Sequence, residues 1–205
     1  MQNTLLEEGT VEVKASTLPS PVPVMGWPGS AALSPVPYEQ LTPRLHGLLE
    51  ARVRRLGYLG GFFAAAARQP VALGHFIEYT ETLTETLPDD LVQVVALRTA
   101  TLTGNEYELV QHRRLAAKQG MTPGWISAAE AGEGSELAAR HLATAALVDA
   151  CVAHDGAGSR LSFARLVHLQ GPDESMAVLM MLGRYVAHAA ISNAVGLEAN
   201  LPSTS

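Results

Sequence analysis

One cysteine, Cys151, stands among 205 residues, so neither an intrachain disulfide nor a Cys-x-x-Cys redox pair can form. A secreted scaffold held together by disulfides is thereby excluded. Positive charge is also short. Fourteen Lys and Arg against 20 Asp and Glu leave a formal charge of -6, with no excess to neutralise a phosphate backbone, and nucleic acid is not an expected partner. Long apolar runs are missing as well: the most apolar stretch, residues 177–182, is followed by Arg184 and His188 and is too short to span a bilayer. The first twenty residues carry Glu7, Glu8 and Glu12 without a cationic start and an apolar segment behind it, so they do not read as a signal peptide. The expectation is a soluble, cytoplasmic protein with no membrane partner.

What is present is apolar content of 47%, enough for one sizeable core. Residues 1–38 hold Pro19, Pro21, Pro23, Pro28, Pro35 and Pro37 with no sustained periodicity. They read as a proline-rich arm or tail, whose Val22, Val24, Met25 and Trp27 favour an arm laid over the body or over a neighbouring subunit. From residue 39 to 205 the pattern is helical. Thr42 before Pro43 and Thr122 before Pro123 are caps followed by proline at the first helical position. Pro88, Asp89 and Asp90 place acids at a helix start, and Gly57, Gly120 and Gly196 close others. Ser135 is expected to cap a helix over 136–153, and 159–169 and the stretch from Pro172 to about Val195 are two more. No stretch after residue 40 alternates as a strand does. The fold expected is all-α, a single-domain helical bundle of about eight helices in short-looped hairpins.

The chemistry concentrates in GNEYELVQHRR, residues 104–114. Glu108 and His112 lie four apart and so share a helix face. A carboxylate beside an imidazole fixes its tautomer and suits it to proton transfer near neutral pH. The same spacing also serves an ordinary surface ion pair, and spacing alone does not separate the two. Glu108 with His112, or Cys151 with His154, offers two metal ligands, but neither pair reaches the three a catalytic zinc needs; a site would have to be assembled across helices. His188 shares a face with Tyr185 and Ser192, which fits a hydrogen-bonded core cluster or a pocket wall. Arg98, alone in VVALRTATL, is a guanidinium suited to holding Glu106, Glu108 or a ligand carboxylate. Phe62, Phe63, Phe76 and Tyr107 are candidate lining for a pocket. Glu106, Tyr107, Arg98 and His188 are thus the candidates for holding a substrate.

The run LVQVVALRTATLTGNEYELVQHRRLAAKQGMTPGWISAA, residues 91–129, resembles the central helix pair of the carboxymuconolactone decarboxylase superfamily, which includes the alkylhydroperoxidase D-like proteins. RLGYLGGFFAAAARQPVALGHFIEY is similar to that superfamily's leading segment and LMMLGRYVAHAAISNAVGL to its last helix, so the likeness covers about residues 35–197. The redox branch carries Cys-x-x-Cys-x-x-x-His on this helix. Here Asn105 and Glu108 stand at the cysteine positions and His112 at the histidine, which removes hydroperoxidase and thiol–disulfide activity. The resemblance then implies the non-redox branch, whose decarboxylases act on a carboxylated unsaturated lactone without a cofactor. His112 would move the proton at substrate carbon and Glu108 would orient it. It also implies a homo-oligomer, from dimer or trimer to hexamer, with sites near subunit contacts. Two other readings stand beside it: a non-catalytic helical oligomer that binds a small hydrophobic acid or a protein partner, and a metal-assisted lyase.

Overall fold

A computed structural model describes residues 18–29, 32–154 and 156–202. The organising element is α4, Asp89–Leu102, whose residues from Leu91 to Leu97 are all buried. A helix apolar on every side has to be surrounded, and α4 is: it packs against α5 (Glu106–Lys118), α6 (Pro123–Ala131), α7 (Ala139–Val152) and α9 (Pro172–Val195). α8, Ser159–Gln170, covers the far side of α7. α1 (Pro43–Leu56) and α3 (Pro70–Thr86) close the other end, with α3 against α9 and the short α2 (Gly61–Ala66) between. This is an all-α, single-domain bundle, consistent with an alkylhydroperoxidase D-like fold. Among the described residues it has nine α-helices, one of them the six-residue α2.

The capping signals act where they were expected. The side chain of Thr42 accepts from the Leu45 N–H and that of Thr122 from the Trp125 N–H, with Pro43 and Pro123 at the first helical position. Gly57 and Gly196 end α1 and α9 in the left-handed region at φ 77° and 76°. One start differs. α7 begins at Ala139 rather than at residue 136, because 134–137 forms a turn closed by Leu137 N–H to the Gly134 carbonyl. Its cap is His141, whose Nδ1 accepts from the Ala138 N–H at 3.2 Å.

The absence of strands after residue 40 also needs correction. Leu59–Gly60 (β2) pairs in parallel with Val24–Met25 (β1), a two-residue contact too short to show as alternation. It fastens residues 18–29 to the body, with Val22 buried and Glu198 N–H donating to the Gly26 carbonyl. Residues 1–17 of the proline-rich segment lie outside the described residues. Among those described, α9 is the one helix long and apolar enough to cross a membrane, and half of its apolar window is buried inside the bundle.

Candidate active site

α5 starts with the carbonyl-bearing side chain of Asn105 accepting from the Glu108 N–H at 3.2 Å. This cap sets the first turn, and the helical repeat then stacks Glu108 and His112 on the face turned towards α9. Both are buried. Glu108 Oε2 lies 3.2 Å from His112 Nε2, and Oε1 lies 2.8 Å from His188 Nε2 and 3.4 Å from Arg184 Nη1. One carboxylate therefore meets three donors from two helices.

These contacts restrict the protons. The Nδ1 of His188 lies 3.1 Å from Ser192 Oγ, which can donate to it, leaving the imidazole neutral with its proton on Nε2, towards Glu108. Burial holds the His188 pKa below its ordinary value, against the pull of the Glu108 charge. Burial acts the opposite way on Glu108, pushing its pKa up, but the charge and hydrogen bonds of His188 and His112 outweigh it and hold the carboxyl well below the usual range. The His188 charge acts in the acid range, where that ring has taken up its second proton; at neutral pH its Nε2–H acts on Glu108 as a hydrogen-bond donor. His112 has Nδ1 at 2.8 Å from Gln93 Oε1, and Gln93 Nε2 in turn reaches Gln119 Oε1 at 2.9 Å. Either both ring nitrogens donate and the ring is an imidazolium, or the two amides are turned over and Nδ1 accepts; in both cases Nε2 keeps a proton facing Glu108.

Beside this cluster lies a cleft of about 390 Å³, lined among others by Glu108, His112, His188, Gln93 and Tyr107. Phe62 and Phe63 line it too, and Phe62 stacks on His188 with ring centroids 3.8 Å apart. Five cations border it, Arg52, Arg55, Arg114, Lys118 and Arg184, against the two acids Asp89 and Glu108. In a chain of net charge -6, that local excess points to an anionic occupant.

Four of the six residues singled out from the sequence meet at this cleft: Glu108, His112, Tyr107 and His188. Arg98 does not. Its guanidinium donates to Asp149 Oδ1 at 2.6 Å and to the Glu130 carbonyl at 2.7 Å, tying α4 to α6 and α7, so it holds neither Glu106 nor Glu108 and borders no part of the cleft. Glu106 is exposed on the first turn of α5 and is likewise not among the lining residues. Phe76 lines an adjoining hollow. The residues that sequence reasoning passed over are Arg184, Gln93 and Arg52. Arg184 is the lone cation of α9, four residues before His188, and Gln93 is a lone amide inside LVQVVAL; each breaks an apolar pattern. Arg52 carries no such signal.

The redox arrangement of this fold is missing at its own positions, with Cys151 the single thiol and half-exposed on α7. Residues 66–151 match the Carboxymuconolactone decarboxylase family. No curated protein matches the chain. The stretch matching the family contains Gln93, Glu108 and His112, while Arg52 on α1 and Arg184 and His188 on α9 lie outside it. Among the described residues no group of three or more His, Cys, Asp or Glu side chains is arranged to hold a metal ion.

Proposed function

We propose that this protein is an acid–base enzyme of the carboxymuconolactone decarboxylase-like type. It acts without a cofactor on a small carboxylated or lactone-like substrate, by decarboxylation or by a related isomerisation or dehydration. The observation that carries this reading is that Glu108 and His112 meet within hydrogen-bond reach at the wall of a cleft large enough for such a molecule. In a decarboxylation the electrons of the breaking C–C bond stay on the substrate carbon, carbon dioxide leaves, and one proton must reach that carbon. His112 is the donor in its imidazolium form: it gives up the Nε2 proton that it otherwise offers to Glu108 and is left a neutral ring held by Gln93 at Nδ1. The cationic border of the cleft supports a carboxylated substrate.

The test is turnover of unsaturated carboxylactones, followed as carbon dioxide release and as deuterium incorporation at carbon from heavy water. His112→Asn and His112→Ala are expected to lose at least about a hundredfold in kcat, the usual worth of a positioned acid or base, with helical content unchanged. Full activity in either would sink the reading. A second reading is favoured by one observation: both ring nitrogens of His112 are already engaged. It is a cleft that binds a small hydrophobic acid without turning it over, and it predicts saturable binding with no deuterium uptake.

The same proposal includes a cytoplasmic homo-oligomer. What supports the assembly is α9, along which Met176, Met180, Val186 and Ile191 are exposed.

A further inference from the structure

We infer that Arg52 and Arg184 form an anion subsite on the wall of the cleft, which takes the carboxylate of an organic acid whose flat, unsaturated body lies in the cleft against Phe63. Its role in positioning a reacting carbon rests on the acid–base reading above; the binding itself does not.

The two guanidiniums come from opposite sides, α1 and α9, and both border the cleft and the small hollow that continues it, where Phe63, Phe76, Thr80 and Glu81 complete the wall. Neither is spent. Among the described residues the Arg52 guanidinium has no hydrogen-bond or ion-pair partner; it lies 4.7 Å over the Phe63 ring. Arg184 donates from Nε to Thr80 Oγ1 at 3.2 Å and from Nη1 to Glu108 at the long distance of 3.4 Å, while its Nη2 meets no acceptor among the described residues. Its guanidinium is held over Tyr185 at 4.3 Å and Phe76 at 5.3 Å.

Two like charges brought together behind apolar rings are unfavourable unless an anion joins them. Burial and then the charge of Arg184 press Arg52 below its ordinary value. The two acids that face the pair relieve it only in part: Glu108 is shared with two histidines, and Glu81 is exposed on the rim of the hollow. A planar guanidinium with a free edge, stacked on an aromatic ring, is built for a carboxylate, and the same rings suit an unsaturated body attached to it. Arg184 also reaches Glu108, so an acid held on it sits in the same cleft as the Glu108–His112 dyad. Both arginines lie outside the stretch that matches the family, so this subsite is supplied by α1 and α9.

The test uses the full-length protein and benzoate as the probe, with binding followed by calorimetry. Benzoate is expected to bind saturably to the wild type and to His112→Asn, and at least tenfold more weakly to Arg52→Gln and Arg184→Gln, while benzamide, the neutral isostere, binds at least tenfold more weakly than benzoate to the wild type. Arg52→Gln is the decisive variant, since this side chain holds nothing else in place; Arg184→Gln also alters the setting of Glu108. Unchanged benzoate affinity in Arg52→Gln, equal affinity for benzamide, displacement of benzoate by an equal concentration of inorganic phosphate, or no saturable binding to the wild type would each overturn the subsite. Because His112→Asn is expected to keep benzoate, a failure of the acid–base mechanism and a failure of the subsite give different results.

Discussion

His188 shows what a single buried residue contributes. Its neutral form is stabilised by burial and by Ser192, and its Nε2–H completes the shell of Glu108. A histidine whose folded pKa is lowered binds fewer protons folded than unfolded, so stability falls as pH drops below the ordinary imidazole value of about 6.5. Glu108, also lowered, adds a second loss further down, since its contribution is present above the ordinary carboxyl value and disappears as pH falls through the folded one. The expected outcome is a melting temperature that declines in two stages on acidification. His188→Gln, which keeps an N–H donor but does not titrate, should lose the upper stage and move the lower one to higher pH, because the His188 charge is the largest influence that lowers Glu108. A melting series from pH 8 to 3 on both proteins checks this, and an identical upper stage in the variant would show that His188 is not its source.

At the level of elements, α5 and α9 build the cluster between them, and each depends on its own local device. Asn105 caps α5 and aims Glu108. Asn105→Ala should cost about 1 kcal/mol, the usual value for losing such a cap, seen as a melting temperature lower by a few degrees, with activity reduced more than stability because the first turn carries the carboxylate. A second device is the close approach of the β1–β2 contact to Tyr107. A Cβ on Gly60 would stand 2.8 Å from the Tyr107 hydroxyl, and one on Gly26, at φ 74°, 2.4 Å from the ring. Gly26→Ala therefore combines a left-handed backbone with a clash. It should destabilise by more than 1 kcal/mol in denaturant melts and move Tyr107 out of the cleft wall, whereas Gly29→Ala, with nothing near its side chain, should leave stability within about 0.5 kcal/mol. Much of the element order was legible because proline, threonine and glycine at helix ends act locally. The late start of α7 was not, because its cap is a histidine side chain, a use that no pattern of Ser, Thr, Asp or Asn announces. The β1–β2 pairing joins residues far apart in the chain and has no local signal at all.

For the molecule as a whole, charge and exposed apolar surface set the expectations. Anion binding at a cationic cleft in a net acidic protein should weaken as ionic strength rises from 20 to 500 mM, since the outer cations Arg55, Arg114 and Lys118 are exposed and act through solvent, while Arg52 and Arg184 are only half-exposed. The assembly reading predicts that Met180→Glu together with Ile191→Glu shifts sedimentation towards the monomer while leaving the fold intact; an unchanged sedimentation coefficient would remove α9 from the interface.

The sequence by itself determined the helical class, most helix limits, the lack of a Cys-x-x-Cys pair and the pairing of Glu108 with His112, because caps, periodicity, residue content and i,i+4 spacing are properties of the chain read locally. It left Arg98 with two uses that only packing separates, and the bundle gave that guanidinium to Asp149 and the Glu130 carbonyl. Tertiary structure alone decided that Arg184 and His188 meet Glu108, 76 residues away in the case of Arg184, and that Arg52 from the first helix borders the same cleft. Such meetings depend on how helices cross, and that is set by the summed packing of a whole core rather than by the residues that end up in contact.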